Sequence, residues 1–202
     1  MVRRTPNLEV EVKIKIEDPK ALAKRLQLLG CRRMVDRTLE DNFLFDFTDR
    51  RLRSLGHLFR VRDFGGQGSL TFKGPSHRGE LFKIREELEI EVGNTRTLID
   101  ILQRLGMELT FRYQKFRTCY ASPSRRGSPL VLTIDETPIG NYLELEGTTQ
   151  DILRMAKQLG FDSQSFITES YVNLFFKNHL SRIQPTMVFA GAKRKKKLQS
   201  RM

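Results

Sequence analysis

Charged and apolar residues alternate in several segments of the chain, and this period of two is typical of β-strands. In the first segment, residues 8–16, charged positions hold glutamate or lysine, and the positions between them hold valine or isoleucine. Further strand-like segments lie at residues 42–47, 57–64, 70–74, 82–92, 113–121, 130–135 and 143–146. We therefore predict about eight strands, most of which have one charged face and one apolar face.

The tetrapeptide Leu-Glu-x-Glu occurs three times, and each copy precedes a segment with helical periodicity. The copies lie at residues 8–11, 88–91 and 143–146. The residues that we expect to cap the starts of the three helices are Asp18 (followed by Pro19), Thr95 and Thr149. The helices are expected to end at Gly30, Gly106 and Gly160. A last amphipathic helix is predicted at residues 168–177. The unequal spacing of the copies indicates pseudo-symmetry within one domain.

The apolar strand faces and the apolar helix stripes have to pack against each other, which leaves the charged strand faces on the opposite side of the sheet. The glycine-rich residues 65–68 and residues 75–79 fit hairpin connections and favour antiparallel pairing. Closing about eight such strands would place the charged faces in the lumen of a barrel. The predicted fold is α+β, a closed eight-stranded antiparallel β-barrel with helices packed on its outside.

The charged faces contain pairs of like charge two residues apart, such as Glu9 with Glu11 and Arg60 with Arg62. Solvated strand faces can also be charged, but like charges at this spacing repel unless an opposite charge lies between them. A lumen with both signs suits a polyanion bound together with its metal ions. Lysine and arginine bind phosphate oxygens, and carboxylates bind Mg²⁺ or Mn²⁺.

The formal net charge of +12 is concentrated near the chain ends, since residues 193–202 and the Arg3-Arg4 pair are strongly basic. We predict a folded domain at residues 1–180 and a basic, disordered tail at residues 181–202. Nucleic acid binding is expected only through this tail.

Metal and disulfide frameworks based on cysteine or histidine are not indicated, because these residues are few and lack ligand spacing. They are Cys31, Cys119, His57, His77 and His179. The chain also lacks a stretch of about 20 apolar residues and an apolar signal segment at its start. We expect a cytoplasmic protein that does not contact membranes.

The charged motifs, taken in order, resemble the CYTH or triphosphate tunnel metalloenzyme superfamily. They are the ExExK of Glu9, Glu11 and Lys13, the RxR of Arg60 and Arg62, the lysine of Leu70–Gly74, the acidic strand of residues 85–89, the KxR of Lys115 and Arg117, Asp135, and the ExE of Glu144 and Glu146. The LTFKGP run and the acidic strand look most like the class IV adenylate cyclase branch.

The resemblance implies a tunnel that binds a triphosphate and one or two divalent metal ions, Mg²⁺ or Mn²⁺. The metal ligands it implies are Glu9, Glu11, Glu144 and Glu146, with Asp135, Glu87 and Glu89 as further candidates. The phosphate-binding residues it implies are Lys13, Arg60, Arg62, Lys73, Lys115 and Arg117, to which Arg85 is added because it shares the strand face of Glu87. Catalytic support of the leaving group would come from Lys13, Lys73 or Arg117.

Two reactions fit this set of residues, because water and a ribose hydroxyl can use the same phosphate and metal site. We favour an adenylate cyclase that converts ATP to cAMP and pyrophosphate; the alternative is an inorganic tripolyphosphatase or a thiamine or nucleoside triphosphatase. A non-catalytic polyphosphate- or RNA-binding module is a third possibility. A monomer or a homodimer is expected, Tyr171 is assigned to packing, and residues 124–127 to a loop.

Overall fold

The computed structural model describes residues 8–78, 81–123, 129–178 and 186–190, and the side chains of residues 77, 78 and 178 are not described. The strands are β1 (Leu8–Ile16), β2 (Arg32–Phe47), β3 (Leu58–Phe64), β4 (Gln67–Lys73), β5 (His77–Arg78), β6 (Lys83–Val92), β7 (Met107–Ala121), β8 (Val131–Thr137), β9 (Gly140–Glu146), β10 (Phe166–Ile167) and β11 (Thr186–Met187). The helices are α1 (Pro19–Leu28), α2 (Arg51–Ser54), α3 (Thr95–Arg104), α4 (Thr149–Gln158) and α5 (Tyr171–Asn178).

Eight strands form a closed barrel in the order β1, β9, β8, β7, β2, β3, β4 and β6. Every neighbouring pair in this ring is antiparallel. The ring closes between β1 and β6, where Glu9 lies opposite Arg85 and Glu11 lies opposite Lys83. The predicted closed eight-stranded barrel is confirmed.

Three helices cover the outer wall of the barrel. One apolar cluster joins α1 and α4 to the outward faces of β1, β8 and β9; among its members are Val12, Leu26, Leu132, Leu143 and Ile152, which are all fully buried. A second cluster packs Leu102 of α3 against Phe45, Val61 and Met107. The apolar strand faces thus point outward and the charged faces point into the lumen.

The helix starts differ from the prediction by one residue at two of the three sites. Asp18 caps α1 as expected, but Asn94 and Thr148 cap α3 and α4, so Thr95 and Thr149 are the first helical residues. Asn94 and Thr148 each lie one residue before the predicted cap, and their side chains accept backbone N–H bonds at this position as the predicted threonines would. The glycines Gly30, Gly106 and Gly160 follow the helices at φ between 76° and 85°, as the predicted stops require.

Helix α5 starts at Tyr171 rather than at residue 168, and it lies at one end of the barrel lumen. The ring centre of Phe175 lies 5.5 Å from the ring centre of Phe111, and the Tyr171 ring packs against the rings of Tyr113 and Tyr142. These partners lie on the same strand faces as the lumen charges, so α5 closes that end.

The sequence underestimated two strands and the C-terminal segment. Strands β2 and β7 start ten and six residues before their predicted starts at 42 and 113. Residues 186–190 were predicted to be unstructured, but β11 pairs in parallel with β7 and Met187 is 1% exposed. Residues 191–202 lie outside the described part of the chain, so the disordered basic tail stays a prediction there. Across the described residues, no helix is long and apolar enough to cross a membrane.

Candidate active site in the barrel lumen

Alternate residues of the eight barrel strands bring sixteen charged side chains to the lumen. The acidic side chains are Glu9, Glu11, Glu40, Glu87, Glu89, Asp135, Glu144 and Glu146, and the basic ones are Lys13, Arg60, Arg62, Lys73, Lys83, Arg85, Lys115 and Arg117. The two signs are equal in number, which allows mutual neutralisation of charges that would be costly to bury alone. All fourteen site residues predicted from the sequence are in this set.

Four carboxylates lie close together at the β1–β6 seam, and we call Glu9, Glu11, Glu87 and Glu146 the glutamate group. Lys73 bridges two of them: its Nζ donates to Glu9 Oε2 at 2.6 Å and lies 2.8 Å from Glu87 Oε2. Burial, and then the charge of Glu11, raise the pKa of Glu9 to about 7. The same two causes raise the pKa of Glu146. Both carboxylates are therefore protonated more readily than an exposed glutamate.

The ionised form of Glu11 is better stabilised than that of Glu9, because two ammonium groups contact one of its carboxylate oxygens. Lys13 Nζ is 3.1 Å from Glu11 Oε1, and Lys83 Nζ contacts the same atom. Burial disfavours ionisation of Glu11, but Lys13 and Lys83 together hold its pKa well below the usual range. Burial lowers the pKa of Lys83 to about 8, so its ammonium form predominates at pH 7.

Lys115 and Arg117 form a cation pair on β7, which we call the β7 clamp. Arg117 binds Asp135 with two nitrogens, Nε at 2.7 Å and Nη2 at 2.6 Å, and also contacts Glu144. Lys115 Nζ donates to Asp135 Oδ2 at 2.9 Å. Two neighbouring cations repel, so the buried Asp135 carboxylate fixes their spacing.

Arg60, Arg62 and Glu89 form a third cluster, between β3 and β6. Arg62 Nη2 donates to Glu89 Oε1 at 2.8 Å, and Thr71 Oγ1 donates to Glu89 Oε2 at 2.6 Å. Arg60 Nη2 donates to Thr71 at 3.2 Å, while its buried Nε has no hydrogen-bond partner among the described residues. A phosphate oxygen could accept from this nitrogen.

Sequence reasoning missed Glu40 and Asn42 of β2 as lumen residues. Glu40 is fully buried, and its Oε1 accepts from Asn42 Nδ2 at 3.0 Å and lies 3.3 Å from Lys115 Nζ. Burial opposes its ionisation, but Lys115 and Arg117 lower the pKa of Glu40 to about 2. Alternation extended from residue 42 towards the N-terminus would have placed Glu40 on the lumen face. It was not extended, because the charged residues of 32–41 lie on both faces of β2 and show no alternation.

Tyr171 packs as predicted, and it also reaches the lumen charges, which the sequence did not indicate. Its hydroxyl donates to Asp135 Oδ2 at 2.8 Å. The ammonium groups of Lys115 and Lys13 lie 5.0 Å and 5.3 Å from the centre of its ring. Both contacts are cation–π geometry, so Tyr171 supports the cations from the closed end of the lumen.

The donor set of the lumen fits a hard divalent cation, although no three carboxylates of the described residues converge in a metal-binding arrangement. Lysine ammonium groups occupy the carboxylates instead. All the candidate ligands are carboxylate oxygens, which Mg²⁺ and Mn²⁺ prefer. The raised pKa values of Glu9 and Glu146 indicate that added positive charge would stabilise the ionised glutamate group.

Within the described residues, neither the two cysteines nor His57 forms a hydrogen bond or ion pair with the lumen charges. Cys31 and Cys119 are free thiols whose pKa values are raised by burial, and the His57 ring packs 5.0 Å from Phe72. The side chain of His77, all of His179 and residues 124–127 lie outside what the structure describes.

Known proteins resemble this chain in sequence and in fold. A Methanocaldococcus jannaschii protein named "Putative adenylate cyclase" is 28% identical over 178 residues, which cover 83% of this chain and 98% of that protein. A Vibrio parahaemolyticus structure described as "a putative adenylate cyclase" has a TM-score of 0.73 at 16% identity, over 85% of this chain and 99% of the other.

A structure from Hippeastrum, described as a "putative adenylyl cyclase" with "a dominant" triphosphatase activity, has a TM-score of 0.60 at 17% identity and covers 84% of this chain and 96% of its own. The model of the CYTH domain family matches residues 7–171. This match spans most of the chain and includes all eight barrel strands, so the chain belongs to the CYTH domain family.

Proposed function

We propose that this protein is a divalent-metal-dependent enzyme that binds a triphosphate in the barrel lumen and cleaves a P–O–P bond. The observation that supports this most is the set of sixteen charges of both signs in a closed lumen, of which eight are buried and fourteen form ion pairs with one another. A purely structural role does not require so many buried ions, since apolar residues of similar size stabilise a fold as well or better. A site that exchanges these partners for phosphates and metal ions does require them.

The proposed roles follow the three clusters. Phosphate oxygens would be bound by the β7 clamp, by Lys13 and by the cations between β3 and β6. The proposed phosphate-binding residues are Lys13, Arg60, Arg62, Lys73, Arg85, Lys115 and Arg117. We propose that Lys13, Lys73 or Arg117 also neutralises the charge that develops on the leaving phosphate.

The glutamate group, with Glu144, is the proposed holder of Mg²⁺ or Mn²⁺. When bound, such an ion neutralises phosphate charge and activates the attacking oxygen. Glu89 and Asp135 remain further candidates, but Asp135 already accepts bonds from Lys115, Arg117 and Tyr171. For Asp135 we therefore favour a role in holding the β7 clamp.

Cyclisation of ATP to cAMP and pyrophosphate is the favoured reaction, and the name of the Methanocaldococcus jannaschii relative supports it. Hydrolysis of tripolyphosphate, thiamine triphosphate or a nucleoside triphosphate is the second candidate. The described triphosphatase activity of the Hippeastrum protein favours keeping it, because that protein shares the fold. The same clusters serve either nucleophile.

The experiment that tests the proposal is incubation of the purified protein with Mg²⁺ or Mn²⁺ and, separately, with ATP, thiamine triphosphate and tripolyphosphate. Cyclic AMP with pyrophosphate from ATP would support the cyclase. Orthophosphate without cAMP would support the hydrolase. No turnover of any of the three would contradict both and favour a module that binds polyphosphate or RNA without catalysis.

Alanine variants test the metal ligands. We expect Glu9→Ala and Glu144→Ala to abolish metal-dependent turnover and to leave the fold intact, because neither residue belongs to the apolar clusters that cover the barrel. Circular dichroism checks the fold, and product formation measures activity. Wild-type turnover in either folded variant would contradict the assignment of that residue.

A further inference from the structure

Lys83 is a lumen cation that none of the sequence motifs includes. It lies on β6 directly opposite Glu11 of β1, at the seam that closes the barrel. Its side chain is 11% exposed, and its ammonium group contacts Glu11 Oε1. Lys83 is thus held inside the proposed metal site rather than on the surface.

The position of this ammonium group conflicts with a divalent cation at the same carboxylate. Glu11 Oε1 already accepts from Lys13 at 3.1 Å in addition to its contact with Lys83. A metal ion bound to Glu11 would lie within a few ångströms of both ammonium groups, where like charges repel strongly. At least one ammonium group has to leave Glu11 when a metal ion binds.

Lys83 is better suited to leave than Lys13. Lys13 is also held by Glu144 at 3.3 Å and lies over the ring of Tyr171, whereas Glu11 is the one carboxylate partner of Lys83 within the described part of the chain. The lysine side chain has four flexible methylene groups, so its charge can move several ångströms without a backbone change. A bound triphosphate would offer it a new anionic partner nearby.

We propose that Lys83 is an internal counter-cation of the metal site. In the metal-free protein its ammonium group neutralises Glu11, and on binding of metal and substrate it moves from Glu11 to the triphosphate. This inference rests on the proposed function, because it assumes that the glutamate group binds a divalent cation. It predicts that Lys83 weakens metal binding in the absence of substrate.

The test is a titration of the metal-free, full-length protein with Mn²⁺ at pH 7 without phosphate, followed by electron paramagnetic resonance of the free ion. Removal of one nearby positive charge should tighten Mn²⁺ binding about tenfold in Lys83→Met. Lys83→Arg keeps the charge and should bind Mn²⁺ no more tightly than the wild type. Lys15→Met is the matched control, since exposed Lys15 lies on β1 but contacts no lumen carboxylate among the described residues.

The affinity for tripolyphosphate tests the second part of the proposal, in which Lys83 binds the triphosphate when the metal ion is present. With Mn²⁺ saturating, Lys83→Met should bind tripolyphosphate several-fold more weakly than the wild type, because one phosphate partner is lost. Lys83→Gln provides a polar alternative if the methionine variant melts at a much lower temperature.

Folded Lys83→Met and Lys83→Gln variants that bind Mn²⁺ with wild-type or lower affinity would overturn the inference and leave the proposed function in place. A wild-type protein that binds neither Mn²⁺ nor tripolyphosphate would overturn the proposed function as well.

Discussion

At the scale of single residues, the lumen illustrates how a functional site opposes stability. Glu9 is almost buried, and the charge of Glu11 adds to the cost of its ionisation, so its pKa is raised to about 7 even though Lys73 binds both of its oxygens. A folded-state pKa above the usual 4.5 means that this residue favours folding most at low pH, and that the contribution is lost as the pH rises through 7. At pH 8, ionised Glu9 destabilises the metal-free protein.

This sign leads to a prediction for Glu9→Gln. Glutamine has nearly the same shape but cannot ionise, so the metal-free variant should be more stable than the wild type at pH 8 by about 1–2 kcal/mol. At pH 5 the difference should be much smaller. Thermal unfolding at both pH values, with a chelator present, measures the effect. A lower melting temperature for the variant at pH 8 would show that the Lys73 ion pair outweighs the cost of burial.

The residue scale also shows how far the sequence could predict the site. The period of two placed twelve of the fourteen predicted site residues on the lumen side, because inward and outward positions alternate strictly in a barrel strand, and the family resemblance added Lys73 and Asp135. Glu40 was missed because residues 32–41 are charged on both faces, and this part of β2 is mostly exposed. Lys83 shares the lumen face of Arg85, but no motif distinguished it from an ordinary strand lysine.

At the scale of elements, helix α5 links the closed end of the barrel to the β7 clamp. Tyr171 is the first residue of α5, and its hydroxyl donates to Asp135, which in turn binds Lys115 and Arg117. Burial and the charge of Asp135 raise the pKa of Tyr171 well above its usual value, so the hydroxyl keeps its proton. Sequence periodicity predicted the helix but not its location, because an amphipathic pattern does not specify which apolar surface the helix covers.

The element-scale prediction concerns Tyr171→Phe, which removes the hydroxyl and keeps the ring. Loss of this bond to a buried carboxylate should loosen the β7 clamp and raise KM for the triphosphate about three- to tenfold, with a smaller change in kcat. Steady-state kinetics measures both constants. The control is Tyr142→Phe, whose ring packs against Tyr171 but whose hydroxyl bonds to no lumen carboxylate in the described structure. Equal effects of the two variants would argue against a positioning role of the Tyr171 hydroxyl.

At the scale of the whole molecule, the barrel separates stability from chemistry. Its outer wall carries the apolar clusters under α1, α3 and α4, and the lumen carries the paired charges. The closed fold could be predicted because the strand pattern and the helix pattern agree on which face is apolar. The β11 segment could not, because a two-residue parallel strand has no periodicity to detect.

The central claim is that the lumen binds a triphosphate and a divalent cation together, and a crystal grown with Mn²⁺ and a non-hydrolysable triphosphate analogue tests it most directly. Anomalous scattering locates Mn²⁺ without assumptions about its ligands. The account predicts an Mn²⁺ peak about 2.1–2.3 Å from carboxylate oxygens of the glutamate group or Glu144, with phosphates beside Lys115 and Arg117. A peak confined to the outer surface, or an analogue bound outside the barrel, would contradict it.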